Sequence, residues 1–165
     1  MNQTAAPRKR RSEGTSLALD PIDSPALLRA LEMFARQEAQ ITERFYEIFF
    51  ERRPDTLELF GAHSISEREE MMRETLRSLH AFYEGQDWLE GNLVALGKSH
   101  WEYGVTQDMY SSFVDSLIDC GQEILGDEFD EAAAVSFRSA MTVIAQRMSA
   151  AGEFASHSRD RTNPV

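Results

Sequence analysis

The chain of 165 residues contains a single cysteine, Cys120, so no disulfide can close within it and no cysteine cluster can hold a metal. No apolar run approaches the roughly 18 residues that a membrane-spanning helix needs. Five prolines and nine glycines are few enough to leave room for long helices. No stretch alternates apolar and polar residues as a half-buried strand would, and no internal repeat or glycine-rich phosphate loop occurs. Basic residues are outnumbered 17 to 28, for a net charge of −11. Four of the 17 (Arg8, Lys9, Arg10 and Arg11) fall in the first eleven positions without an acid among them. The body therefore carries 13 bases against 28 acids, a surface that repels nucleic acid and anionic membrane. No apolar segment follows the basic tetrad, so it does not read as a secretory signal, and the cytoplasm is the expected location.

What is present suits one helical domain with a real core, since 42% of the residues are hydrophobic and 27% charged. Residues 1–22 are polar and turn-rich and read as a disordered tail. Residues 23–155 read as the folded domain, and 156–165 as a polar C-terminal tail. Ser24 before Pro25 reads as a helix cap. Apolar spacing then runs through Leu27, Leu31 and Phe34, and, after a break near residues 37–40, through Ile41, Phe45, Ile48 and Phe49. Pro54 ends this second helix. A short turn over 55–59 leads to Phe60 and a loop over 61–66, where Ser64 or Ser66 caps the next helix and Gly85 closes it. A helix starts near Asp87, another follows Thr106, and a last one spans about 130–151, with Phe137, Met141, Ile144 and Met148 on one face. About seven helices with short links imply an orthogonal all-α fold.

The stretch richest in chemistry is residues 93–105. Leu89, Leu93, Leu96 and His100 recur at i, i+4, i+7 and i+11, so they share one helical face. The face is apolar until it reaches the histidine, and Gly104 stops the helix at once. Such a face can press an imidazole against a flat apolar ligand with a metal at its centre. A core histidine bonded to backbone is the ordinary alternative.

The pattern Leu96-Gly97-x-x-His100-x-x-Tyr103-Gly104-Val105 resembles the proximal-histidine segment of bacterial single-domain globins and of the globin half of flavohaemoglobins. A second stretch carries the same resemblance: Phe45-Tyr46-x-x-x-Phe50, then Pro54, then Leu59-Phe60. The resemblance covers roughly residues 24–152 and implies a globin fold around haem b, iron protoporphyrin IX. It implies His100 as the axial iron ligand, with the Leu96 carbonyl as acceptor for its other ring nitrogen. It implies Tyr46 over the distal face, donating to a bound gas, and Phe60, fourteen residues on, flat against the ring. Val105 follows the proximal stop, and Tyr110, ten residues after His100, is expected near the imidazole.

The distal helix departs from the family pattern. Keeping Met72 and Leu76 in register puts Met72 in the apolar distal position and Arg68 at the gate, where the family has glutamine. A slip of one residue gives Glu67 and Met71 instead. Arg68 either reaches a haem propionate or a bound ligand, or is a solvated helix residue. The family's proximal glutamate falls on Gly152, with Glu153 beside it. His63 and His80 are expected at the surface, Trp101 at a haem edge or the surface, and Cys120 as a small buried residue.

The implied function is reversible binding of a diatomic gas (O2, NO or CO), for storage or for nitric oxide detoxification. Dioxygenase turnover would need an outside reductase, and a dedicated enzyme is not expected. The alternative is a haem-based gas sensor acting through a protein partner; a haem-free globin regulator is disfavoured by Tyr46, Phe60 and His100 together. Neither nucleic acid nor membrane is an expected partner. Outward apolar residues on the last two helices would permit a homodimer.

Overall fold

A computed structural model describes residues 21–61 and 63–160. The basic tetrad and nearly all of the expected N-terminal tail lie outside the described residues. Helix α1 spans Ser24–Arg36 and α2 spans Glu38–Arg52; α3 is the single turn Leu57–Phe60. Then come α4 (Ile65–Glu84), α5 (Trp88–Glu102), α6 (Gln107–Leu125) and α7 (Glu131–Asp160). Two short 3₁₀ turns, Pro54–Thr56 and Gly126–Glu128, complete the described order, and no strand occurs among these residues.

The helix ends follow local chemistry. The Asp23 carboxylate, not the Ser24 hydroxyl, caps α1 by accepting the Ala26 N–H at 2.9 Å. Asp23 is held in place because its own N–H donates to Ser136 Oγ on α7 at 3.0 Å. Ser64 caps α4 in a reciprocal capping box with Glu67. Where the sequence suggested a turn after Pro54, the backbone coils helically as far as Phe60. The last helix runs to Asp160, well past Ala151, and absorbs part of the expected C-terminal tail. The polar letters there do not stop a helix, because nothing before Pro164 denies the backbone its helical bonds.

One core joins the elements. Phe34 stacks on Phe137 with ring centroids 4.5 Å apart, tying α1 to α7. Phe45 and Phe49 of α2 meet Phe113 of α6 edge-on at 4.6 and 5.7 Å. The closest backbone approach is between α5 and α7. A Cβ placed on Gly97 would lie 2.1 Å from the Met148 carbonyl oxygen, and one on Gly152 would lie 2.9 Å from the Gly97 oxygen. Only glycine permits two helices to touch main chain to main chain in this way. The crossing sets the position of everything on α5, including the residue three places beyond Gly97.

Replacing Gly97 with alanine must push α5 off α7, because the obstacle is backbone. We expect Gly97→Ala to cost about 1–3 kcal/mol of stability. Urea unfolding with an unchanged midpoint would show that the two helices part freely.

Candidate ligand cavity around His100

Largely apolar walls from six helices, α2 to α7, surround a cavity of about 170 Å³. Helix α5 contributes Leu93, Leu96 and His100, and α6 contributes Met109, Tyr110, Phe113 and Val114. Helix α4 faces them with Met71, Thr75 and Ser78, and α7 closes one side with Met141, Ile144 and Met148. Phe49, Thr56, Leu59 and Phe60 line it as well. Four of these wall residues are methionines.

His100 brings the one nitrogen-bearing side chain to the wall. Its position follows from the Gly97 crossing and from Gly104, whose φ of +82° ends α5 one turn later. The imidazole Nδ1 donates to the Leu96 carbonyl at 2.8 Å. A carbonyl only accepts, so in the neutral ring Nδ1 carries the hydrogen and Nε2 the lone pair. Burial holds this histidine below its ordinary value of 6.5, with the Leu96 carbonyl pulling weakly the other way. The ring is therefore neutral at pH 7 and its lone pair is free. Tyr110 lies nearly parallel to it, centroids 6.0 Å apart, and burial pushes that phenol up to about 12.

The cavity gathers Phe60, Leu96, His100, Val105 and Tyr110, all expected from the sequence. It does not take in Tyr46, Arg68 or Met72. The Tyr46 ring is buried beside Phe60, at 5.6 Å, but its hydroxyl donates to the Arg68 carbonyl at 3.2 Å, and Phe49 stands at the wall. Burial raises the Tyr46 phenol far enough that it stays protonated, hence a donor. Met72 is fully buried in the core, and Met71 reaches the cavity. Met71, the residue of the slipped alternative, is thus the one at the wall, while Glu67 is spent on the Ser64 cap. Arg68 packs over the Tyr46 and Phe50 rings.

Among the wall residues not foreseen are three from α4 that bring polar groups. Thr75 lines the cavity with its hydroxyl donating to the Met71 carbonyl at 2.9 Å. Ser78 is 3% exposed, and its Oγ has no hydrogen-bond partner. Glu74 stands between the cavity and an outer groove formed with His63, Glu67, Glu70 and Met71. Its carboxylate accepts from Asn92 of α5 at 2.6 Å and pairs with Arg77 at 3.5 Å. The more apolar face of α4, through Met72 and Leu79, goes to the core, and the face through 71, 75 and 78 beside it turns to the cavity, which an apolar-periodicity reading passes over.

The site of the proximal glutamate is filled by contact. Gly152 packs on Trp101 and Gly97, and Glu153 is turned to the exposed side of α7. Trp101 is 44% exposed. His80 is exposed beside Glu84, and Cys120 is buried with its Sγ near the Ile41 carbonyl.

The depressed value of His100 has a thermodynamic consequence. Below about pH 6.5 the unfolded chain binds a proton that the folded chain resists, so acid weakens folding in that range. We expect His100→Leu to lose less unfolding free energy than the parent between pH 7 and pH 5. Equal losses, measured by urea titration at the two values, would mean that the ring charges freely in place.

No protein-family model matches the chain, and no curated protein sequence does. Among solved structures, a flavohemoglobin from Malassezia yamatoensis, crystallised with bound FAD and heme, is similar with a TM-score of 0.69 at 18% sequence identity. The match covers 80% of this chain and 36% of that one, so this chain spans about a third of that protein's length. Seven helices in this order, without strands among the described residues, make a globin fold.

Proposed function

We propose that the cavity holds haem b, that His100 is the axial ligand of its iron, and that the chain binds a diatomic gas reversibly. One observation carries this reading: a neutral imidazole, with Nδ1 fixed to the Leu96 carbonyl, sits on the wall of an otherwise apolar cavity.

The donor set fits that group. Imidazole nitrogen suits iron, and the Leu96 carbonyl behind the ring fixes the tautomer and would strengthen the ligand. Among the described residues no group of three His, Cys, Asp or Glu could hold a bare ion. A single histidine needs its partner ligands from a macrocycle. The walls suit a flat apolar ring, with Phe60 and Phe113 as aromatic plates and Leu93, Leu96 and Met148 on the His100 side. The flavohemoglobin of the same fold holds heme, which supports the assignment.

When bound, the haem would supply an iron atom that takes up the gas. The chain's own residues do the rest. Leu96 holds the imidazole so that Nε2, not Nδ1, is presented. The apolar walls keep bulk water, and with it a ready proton donor, away from the space where a gas would bind. Tyr110, stacked beside the ring, limits its rotation. The absence of a carboxylate at Gly152 leaves the imidazole a weaker electron donor than a carboxylate-paired one, which favours reversible binding over oxygen activation.

The test is the absorption spectrum of the protein reconstituted with haem. We expect a Soret band at one haem per chain, loss of that stoichiometric binding in His100→Ala, and its rescue by added imidazole. Failure to take up haem, or identical spectra for parent and His100→Ala, would overturn the reading.

A further inference from the structure

Four residues bring hydroxyl groups to the cavity wall: Thr56, Thr75, Ser78 and Tyr110. Two of those protons are already committed. Thr56 Oγ1 donates to the Arg53 carbonyl at 2.7 Å and Thr75 Oγ1 to the Met71 carbonyl at 2.9 Å, so both are left with lone pairs alone. Tyr110 stands on the imidazole side, stacked beside His100. Ser78 is different. It is 3% exposed, and its Oγ has no hydrogen-bond partner at all.

Helix geometry does not force this. The hydroxyls of Thr42, Thr75, Ser111, Ser116 and Thr142 each donate to the carbonyl four residues back, at 2.7 to 3.3 Å. The Glu74 carbonyl stands at the same spacing from Ser78 inside α4, and Ser78 does not take it. The Glu74 carboxylate is turned to Asn92 and Arg77. A buried hydroxyl without a partner weakens the fold, because it has given up water and gained nothing. Such a group in a cavity wall points to a guest that completes it. Tyr46, from which the globin resemblance expects the donated bond, cannot serve. Its proton is committed to the Arg68 carbonyl at 3.2 Å, and Tyr46 does not line the cavity.

We propose that Ser78 is the donor of this cavity: its hydroxyl is held open for a small guest and takes the place of Tyr46 in binding it. A donor strengthens its bond as the acceptor gains negative charge. The α4 wall therefore selects guests whose outer atom is electron-rich, dioxygen before carbon monoxide. That the guest is a diatomic gas rests on the haem reading above; that Ser78 is held open does not.

Thermal unfolding of the full chain without haem reads the open hydroxyl by itself. Ser78→Ala removes an unpaired group and raises the midpoint by about 2–6 °C. Ser116→Ala, the same change at a buried hydroxyl with two partners, lowers it. A midpoint unchanged or lowered by Ser78→Ala would mean that the hydroxyl is satisfied within the fold, and overturns the proposal. After reconstitution with haem, donation to the guest is read by the infrared stretch of bound carbon monoxide and by the release of dioxygen. A hydrogen bond to the outer atom lowers the stretching frequency. Ser78→Ala then raises it and speeds dioxygen release about 3–10-fold, while Tyr46→Phe moves neither. Ser78→Ala leaving both readings unmoved overturns the proposal, whatever Tyr46→Phe does. A chain that takes up no haem sinks the reading above, and the sign of the unfolding shift still decides whether Ser78 is held open.

Discussion

The contact between the main chains of α5 and α7 governs the molecule. At Gly97 the Met148 carbonyl stands where a side chain would begin, and at Gly152 the same closeness recurs from the other helix. The crossing fixes the height and rotation of α5. His100, three residues beyond, therefore meets the cavity at an angle set by backbone rather than by adaptable side chains. The bond from Nδ1 to Leu96 adds the remaining constraint, since it selects which nitrogen the ring offers. A ligand atom placed by rigid elements is held more accurately than one on a loop.

Much of this was legible in the letters. The stripe ending in His100, the stop at Gly104, the proline after α2 and the Ser64 cap each follow from local rules, and each lies close to where those rules put it. The fold class follows from them. The role of Gly97 was not legible. A glycine inside a helix reads as a small penalty, and nothing local says that another backbone will press on it. The glycine that register puts where the family has a glutamate, Gly152, has the same cause, since a Cβ there would lie 2.9 Å from the Gly97 oxygen.

The distal side is harder to read for a different reason. In α4 two adjacent stripes share the helical spacing, a more polar one through Met71, Thr75 and Ser78 and a more apolar one through Met72, Leu76 and Leu79. The more apolar stripe goes to the core, with Met72 and Leu79 fully buried, and its neighbour is left to line the cavity. Arg68, on the same helix, seats itself over the Tyr46 and Phe50 rings. The Tyr46 hydroxyl follows its neighbour's carbonyl in consequence. A side chain's chemistry was readable there, but its partner was a main-chain atom that no sequence pattern marks.

Four thioethers, those of Met71, Met109, Met141 and Met148, line the same cavity. Each has three freely turning bonds and a polarizable sulfur, so these walls have no single mould. Under the proposed reading, an occupant anchored through one stiff imidazole would shape its own chamber. Selectivity for size would then be loose, and the chamber would grow more polar, and hold an occupant less well, each time an oxidant turned one of those sulfurs into a sulfoxide.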